Sequence, residues 1–498
     1  MMRTIALSTT ALLLAALAGL AAAQQKSTPP APAAESKGTL QVGSRAWKGD
    51  LDEMTAKRKV IRALVPFSKT FYYVEKGRPR GISYEVLTQF EQELNRQLKT
   101  KHLKVRVLFF PVGREELIQR LVDGYGDLII ADLVVTPERQ KIVDFSAPMW
   151  RGIKEIVVTG PGGPEIATLD DLAGKEVFVR KTSSYHEHLQ ALNKRFASER
   201  KSPVTIRIAD EDLEAEDILE MVNAGLVGAT VVDRYKAIMW SRVFKGLKLT
   251  DAVLADGAEV GFLIRKDSPQ LKAALDEFVK KHGQGTTFGN SIVNRYVKDL
   301  KFVKNAVGSD EVRRFGEVVG LFRKYGAKYD VDHLLVVAQG FQESGLDHSA
   351  KSAVGAVGIM QIMPATGKDL KVGDIGQLEP NVHGGVKYMR FMIDQYYANE
   401  PMTPLNKGLF AFASYNAGPG RVAGLRKEAA KRGLDPNRWF HNVEVVAAEK
   451  IGSETVTYVS NIYKYYTAYK LLEEQEASRQ AAREQAGIGK AGAPKAAK

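Results

Sequence analysis

The chain has 498 residues, 44% of them hydrophobic and 26% charged, an ordinary globular composition with material for more than one packed core. It has no cysteine, so disulfides, a thiolate nucleophile, a thiolate metal site and a lipid anchor on an N-terminal cysteine are all excluded. The formal net charge of +13 suits an anionic polymer, although a solvated surface charge with no specific partner has the same composition.

Read from its start, Met1 to Arg3 are a short basic stretch and Ile5 to Ala22 are mostly apolar or small. Ala21-Ala22-Ala23 then offer small residues for cleavage before Gln24. Residues 1–23 therefore read as a secretory signal peptide, with a retained membrane anchor as the alternative. An exported protein rarely meets nucleic acid, so cell wall or a membrane surface is the expected anionic partner. Residues 24–57 read as a linker, flexible where Pro29-Pro30-Ala31-Pro32 stand.

From 58 to 302 short apolar runs alternate with helical patterns. Strands are expected at Val60–Val65, Val105–Phe110, Asp127–Ile130, Glu155–Val158, Glu176–Val179 and Val260–Ile264. Helices are expected at Tyr84–Leu98 and Glu115–Val122. That alternation predicts a mostly parallel sheet with helices on its faces. From 310 to 472 the texture is helical, with Val331, Leu334, Leu335 and Ala338 at helical spacing, and likewise Val386, Met389 and Ile393. Residues 473–498, mostly Ala, Gly, Glu, Gln and Lys, are expected to extend a helix and then fray into a disordered tail.

One carboxylate stands out by position. In the helix predicted over 331–343, Asp330 is the expected N-cap and Gly345 suits the end, so Glu343 falls in the last turn. The helix dipole there disfavours ionisation by about 0.3–1 kcal/mol, under about one pKa unit. A neutral-pH acid would need a covered cleft as well. Alone, such a glutamate is ordinarily a solvated surface residue.

Its surroundings are specific. Glu343-Ser344 is followed by Ser352-Ala353-Val354-Gly355-Ala356-Val357-Gly358-Ile359-Met360-Gln361 and Met363-Pro364-Ala365-Thr366. Asn381-Val382-His383-Gly384-Gly385, Ser414-Tyr415-Asn416-Ala417-Gly418 and Glu454-Thr455-Val456-Thr457-Tyr458-Val459 complete the series. Over about 325–470 the chain resembles the catalytic domain of lysozyme-like lytic transglycosylases. The resemblance implies that Glu343 is the catalytic acid/base, with Ser344, Met360, Gln361, Tyr415, Asn416, Glu454 and Tyr458 in the substrate site. Met360 and Gln361 would contact sugar, Tyr415 and Asn416 would flank the carboxylate, and Glu454 and Tyr458 would support the cleft floor. For Met360 and Tyr458 a role as plain core fillers is the alternative. Ile359, Ser414 and His348 depart from the family's usual leucine, alanine and proline. The implied reaction is cleavage of peptidoglycan glycan strands with one carboxylate, leaving 1,6-anhydromuramic ends. A hydrolytic muramidase, or a solute receptor with a non-catalytic peptidoglycan-binding domain, are the other readings.

Residues 58–302 resemble periplasmic solute-binding proteins for amino acids, best through Asp127-Leu128-Ile129-Ile130-Ala131-Asp132, Thr136-Pro137-Glu138-Arg139 and Val143-Asp144-Phe145-Ser146-Ala147-Pro148. The implied fold class is a two-lobed α/β solute-binding-like module followed by a mainly α lysozyme-like domain at 310–472. Lobe 1 would take 58–152 and 258–302, and lobe 2 would take 153–257. Arg139 matches the arginine that clamps a ligand carboxylate, Thr182-Ser183-Ser184 the anion-binding turn, and Asp233 the residue that holds the ligand ammonium. Where that family carries small hydroxyl residues, this chain has Ala131, Asp132 and Val134, which argues against a free amino acid. The order of the modules implies a regulatory front module that senses stem peptides or muropeptides, in the periplasm and peripheral to the outer membrane. No cofactor or metal is expected: there is no phosphate loop, and the eight histidines lack ligand spacing.

Overall fold

The computed structural model describes residues 46–485 apart from 69, 76–77, 101 and 298–308. The expected signal peptide, most of the linker and the tail beyond residue 485 lie outside the described residues.

The front part opens with β1 (Val60–Val65), the hairpin β2 (Tyr73–Glu75) and β3 (Arg78–Arg80), then β4 (Arg106–Pro111), β5 (Leu128–Ile129) and β6 (Asp144–Phe145). The long β7 (Trp150–Thr159) leads to β8 (Glu176–Arg180), β9 (Thr205–Ala209) and β10 (Ala229–Asp233). The chain returns on β11 (Lys248–Val260) and β12 (Leu263–Ile264). Among the described residues, a five-stranded sheet runs β4-β1-β5-β12-β6. All of β1 is buried, as suits an apolar strand covered on both faces. It pairs in parallel with β4, from Val60↔Arg106 to Val65↔Pro111, and in parallel with β5.

The sheet is mixed rather than mostly parallel. β12 runs antiparallel to both β5 and β6. The cause is the route of the chain: β7 leaves the first sheet and β11 comes back beside it in the opposite sense, from Lys248↔Thr159 to Val260↔Trp150. The returning strand must then enter the first sheet reversed. Repeated register shifts along the β7–β11 pair bend it between the two lobes. β10 closes the other edge of β7, and β8 and β9 form a separate parallel pair.

The helical part is centred on His333–Ser344, whose residues Leu334 to Phe341 are all buried. The helices Ser309–Tyr329, Leu378–Tyr396 and Ser453–Gln485 pack around it. Its N-cap is Asp332, which accepts from the Leu334 N–H at 3.0 Å, and not Asp330. Asp330 has a left-handed φ of 50° in the turn that ends the preceding helix, so its side chain is not placed to cap. The buried side chains of the second lobe and of the helical part form one connected apolar cluster.

One expectation at the ends changes. Residues 46–57 are docked and not a free linker: Trp47 donates its N–H to Gly124 at 2.8 Å, and the Asp50 carboxylate accepts from Gln270 and Leu271 N–H at 2.7 and 3.0 Å. Asp50 thereby satisfies open donors at the start of the helix Pro269–His282. At the other end the helix extension expected from residue 473 continues to Gln485, beyond which the residues are not described, so only its length is added.

A buried charge cluster fixes the first sheet. Arg62, in the middle of β1, and Asp127 are both fully buried. Asp127 accepts from the Arg62 backbone N–H at 2.7 Å, from its guanidinium at 2.9 Å and from Arg58 at 2.6 Å. Asp127→Ala leaves this cationic pair uncompensated and is expected to cost about 3–5 kcal/mol. Urea unfolding of the full chain, followed by circular dichroism, should show the correspondingly earlier transition.

Candidate active site

Glu343 ends the central helix. Gly345 follows with φ 70° and closes the helix with its N–H on the Phe341 carbonyl at 2.8 Å. This end of the helix faces the first turns of Ser453–Gln485, from which Tyr458 donates its hydroxyl to Glu343 Oε1 at 2.6 Å. Gln339, one turn before Glu343, donates to the Tyr458 oxygen at 3.4 Å. Tyr415, on the helix Pro404–Ala417, stands edge-on to Tyr388 with ring centroids 5.6 Å apart.

Burial pushes the Glu343 carboxyl up to about 7, and the Tyr458 hydrogen bond opposes that rise. No charged side chain is among the causes. Tyr458 and Tyr415 are themselves pushed well above the usual phenol range, first by burial and then by the neighbouring Glu343 charge. Both therefore stay protonated at any physiological pH, and Tyr458 remains a donor.

The other expected site residues divide. Ser344 spends its hydroxyl on the carbonyls of Gly340 and Ile359, at 3.0 and 2.8 Å. That ties the Glu343 turn to the following loop. Met360 is 2% exposed and lies against Gly340 and Gly385, so it is core. Gln361 folds its amide back onto the Ala350 and Gly358 carbonyls at 3.1 and 2.8 Å. Asn416 accepts from Thr455 at 2.6 Å. Glu454 is exposed, and the helix turns Thr455 and Tyr458, three residues apart, towards the cleft instead. The structure thus brings Glu343, Tyr415 and Tyr458 together.

Sequence reading missed Gln339 and the organising role of Asn381. Gln339 was findable as a polar residue on a buried helix face, four residues before Glu343. Asn381 is fully buried; it accepts from the Met360 N–H and donates to the Val357 and Ile375 carbonyls, each at 2.9 Å. It pins the loop against Gly358, where φ is 78° and a Cβ would stand 2.4 Å from the Asn381 amide nitrogen. Only glycine fits there.

In the front module the expected anchors are occupied from within. Arg139 donates to the Val134 carbonyl at 2.6 Å and the Thr182 carbonyl at 2.9 Å, so its fork is not open to a carboxylate. Thr182 donates its N–H and hydroxyl to Glu211 at 3.0 and 2.5 Å. Ser183 caps the helix Ser184–Ser198, and Ser184 donates to Glu155 at 2.7 Å. Asp233 is buried and paired with Lys236 at 2.9 Å. A cavity of about 400 Å³ opens beside this cluster, with Phe71, Ile82, Asp132, Trp150 and Tyr235 in its wall.

Residues 320–437 match the family Transglycosylase SLT domain, and residues 61–298 match Bacterial extracellular solute-binding proteins, family 3. Proteins named Membrane-bound lytic murein transglycosylase F resemble the chain across both parts. That of Desulfosudis oleivorans is 26% identical over 424 residues, covering 80% of this chain and 87% of its own. That of Ectopseudomonas mendocina is 26% identical over 429 residues, covering 82% and 83%. The chain thus joins a family 3 solute-binding module to a transglycosylase SLT domain, as those lytic transglycosylases do. Such a transglycosylase is a lyase that acts on peptidoglycan, so the reading as a receptor with a non-catalytic rear domain is set aside. Among solved structures, an ancestral arginine-binding protein bound to arginine covers 48% of the transglycosylase and 98% of its own chain, at 22% identity and a TM-score of 0.40.

Tyr458→Phe removes the one hydrogen bond that holds the Glu343 carboxyl down. A hydrogen bond to a charged group is worth about 1.5–3 kcal/mol, or about 1–2 pKa units. The alkaline limb of the pH profile for glycan cleavage is expected to move up by that amount, with a lower maximal rate.

Proposed function

We propose that Glu343 is the single acid/base of a non-hydrolytic cleavage of the MurNAc-GlcNAc β-1,4 bond. The observation that carries this reading is the carboxyl held at about 7 by burial, with no charged partner. At neutral pH a substantial fraction of such a group still carries the proton it must first give, and giving it produces the base for the second step. Protonated Glu343 gives its proton to the glycosidic oxygen, and the C1–O bond breaks. The substrate's own acetamido group stabilises the cation at C1, so no second protein carboxylate is needed, unlike in most glycosidases. Ionised Glu343 then takes the proton of the C6 hydroxyl as its oxygen bonds to C1, which closes the 1,6-anhydro ring and restores the acid. Tyr458 fixes Oε1, leaving the other oxygen to face the bond. Activity requires the protonated form at the outset, so it is expected to fall as pH rises through about 7. Mass spectrometry of peptidoglycan digested by the protein and by Glu343→Gln tests the mechanism. Anhydro-muropeptides from the wild type alone are expected; hydrated reducing ends would make it a hydrolase.

We further infer that the front module senses stem peptides or muropeptides and acts on the cleft, in the periplasm at the outer membrane. No helix among the described residues is long and apolar enough to cross a membrane. The support for coupling is a set of polar contacts between the modules. Arg438 pairs with Glu115 and Glu116 of the first lobe at 3.2 and 2.9 Å, while His441 pairs with Asp212 of the second at 3.0 Å. Tyr463 donates to Asp210 at 2.6 Å and Lys464 to Glu220 at 2.9 Å. Tyr463 and Lys464 ride on the helix that carries Tyr458. A shift of the second lobe would therefore pull on the helix whose hydroxyl sets Glu343. Calorimetry with stem peptides should give saturable heat, and its absence ends the sensing idea. Arg438→Ala is expected to bind the same ligand while losing most of its effect on cleavage rate.

A further inference from the structure

The two lobes close around an ammonium group that belongs to the chain. Lys236 lies in the helix Arg234–Trp240 of the second lobe and is 7% exposed. Its Nζ is paired with Asp132, from the first lobe, and with Asp233 at 2.9 Å. Asp132 also accepts from the Tyr235 hydroxyl at 2.7 Å. The rings of Phe71 and Tyr235 lie 5.6 and 5.7 Å from the same nitrogen. Two carboxylates and two aromatic faces, shielded from water, are what a site for a primary alkylammonium ligand would consist of.

The neighbouring polar positions follow the same pattern. The Glu211 carboxylate takes the donors of Thr182 beside the start of the helix Ser184–Ser198. The Arg139 fork takes one carbonyl from each lobe, Val134 and Thr182. Cation, anion and fork each have their partners from within the chain, and only Asp233 Oδ1 is left buried without one. We infer that Lys236 is a tethered ligand, which fills a buried alkylammonium site between the lobes, holds them together and shuts out free α-amino acids.

The energetics favour this arrangement over an incidental ion pair. Burial works against the Lys236 charge, yet Asp132 and Asp233 outweigh it and hold the ammonium well above its ordinary value. Without that ammonium, two shielded carboxylates from opposite lobes would face each other, and one would have to take up a proton or the lobes would part. The pairing therefore joins the lobes. The inference is independent of what the module senses: a wall fragment would take the adjoining cavity of about 400 Å³, against Asp132 and Tyr235, rather than the ammonium position.

The test is chemical rescue in the full chain. Lys236→Ala removes a side chain equivalent to n-propylammonium. Titration calorimetry is expected to show saturable n-propylammonium binding to the variant, at least about tenfold tighter than to the wild type. The thermal midpoint lost in the variant should recover on the same titration. Tetramethylammonium, which has no N–H donor, and Lys236→Met, which keeps the bulk, should give neither effect. A folded Lys236→Ala chain that neither binds nor recovers overturns the inference. So does saturable heat from the wild type with any common free α-amino acid, a result that can be read whether or not the variant folds.

Discussion

A carboxyl group withdrawn from water with no cation beside it is costly when ionised, and the catalytic part is arranged so that Glu343 must bear that cost. Among the described residues its compensation is one phenolic hydrogen bond, from Tyr458. Folding raises this group's pKa, so the native state favours its protonated form. The sign follows: that advantage is present at acid pH and is lost as pH climbs from the ordinary carboxyl value towards about 7. The domain gives up stability there and gains a proton donor at the pH where an ordinary glutamate has none. Everything nearby serves this balance. The helix is buried from Leu334 to Phe341, Gly345 ends it abruptly, and Asn381 pins the loop that follows.

The modules are joined by charges rather than by apolar contact alone. Arg114, buried, makes a two-pronged contact to Glu214 across the lobes at 2.7 and 2.8 Å. Lys464 and Glu220, both buried, join the second lobe to the catalytic helix. Buried pairs of this kind add little net stability, because desolvation offsets attraction. They are intolerant of misplacement, so they define which relative positions of the parts are allowed. The Glu343 carboxyl is thus tied to the front module through one helix, Ser453–Gln485, which carries Tyr458 and, between one and two turns further on, Tyr463 and Lys464.

Much of this was legible in the sequence, and the failures have physical causes. β1 was readable because a strand buried on both faces is apolar nearly throughout, here interrupted only by Arg62. The position of Glu343 in a last turn followed from Gly345. The N-cap was misplaced by two residues because Asp330 and Asp332 are both good caps, and only backbone dihedrals separate them. The mixed sheet was missed because strand direction is set by the route through β7 and β11, which local pattern does not encode. Met360 and Glu454 show the limit of motif matching: a motif marks a position, while packing decides whether the side chain meets substrate, core or solvent. Lys236 carried no signal at all. A lysine in a short helix reads as solvated surface, and only the fold brings Asp132, more than a hundred residues earlier, against it.

The lysine has a consequence best put as competition. A group fixed on its own scaffold is present at an effective concentration at or above the mM level of even a short flexible tether. A free amine at micromolar level is outnumbered by about a thousandfold or more at that position. The chain would then be indifferent to the nutrient pool around it, and only a molecule that gains contacts elsewhere in the cleft could register.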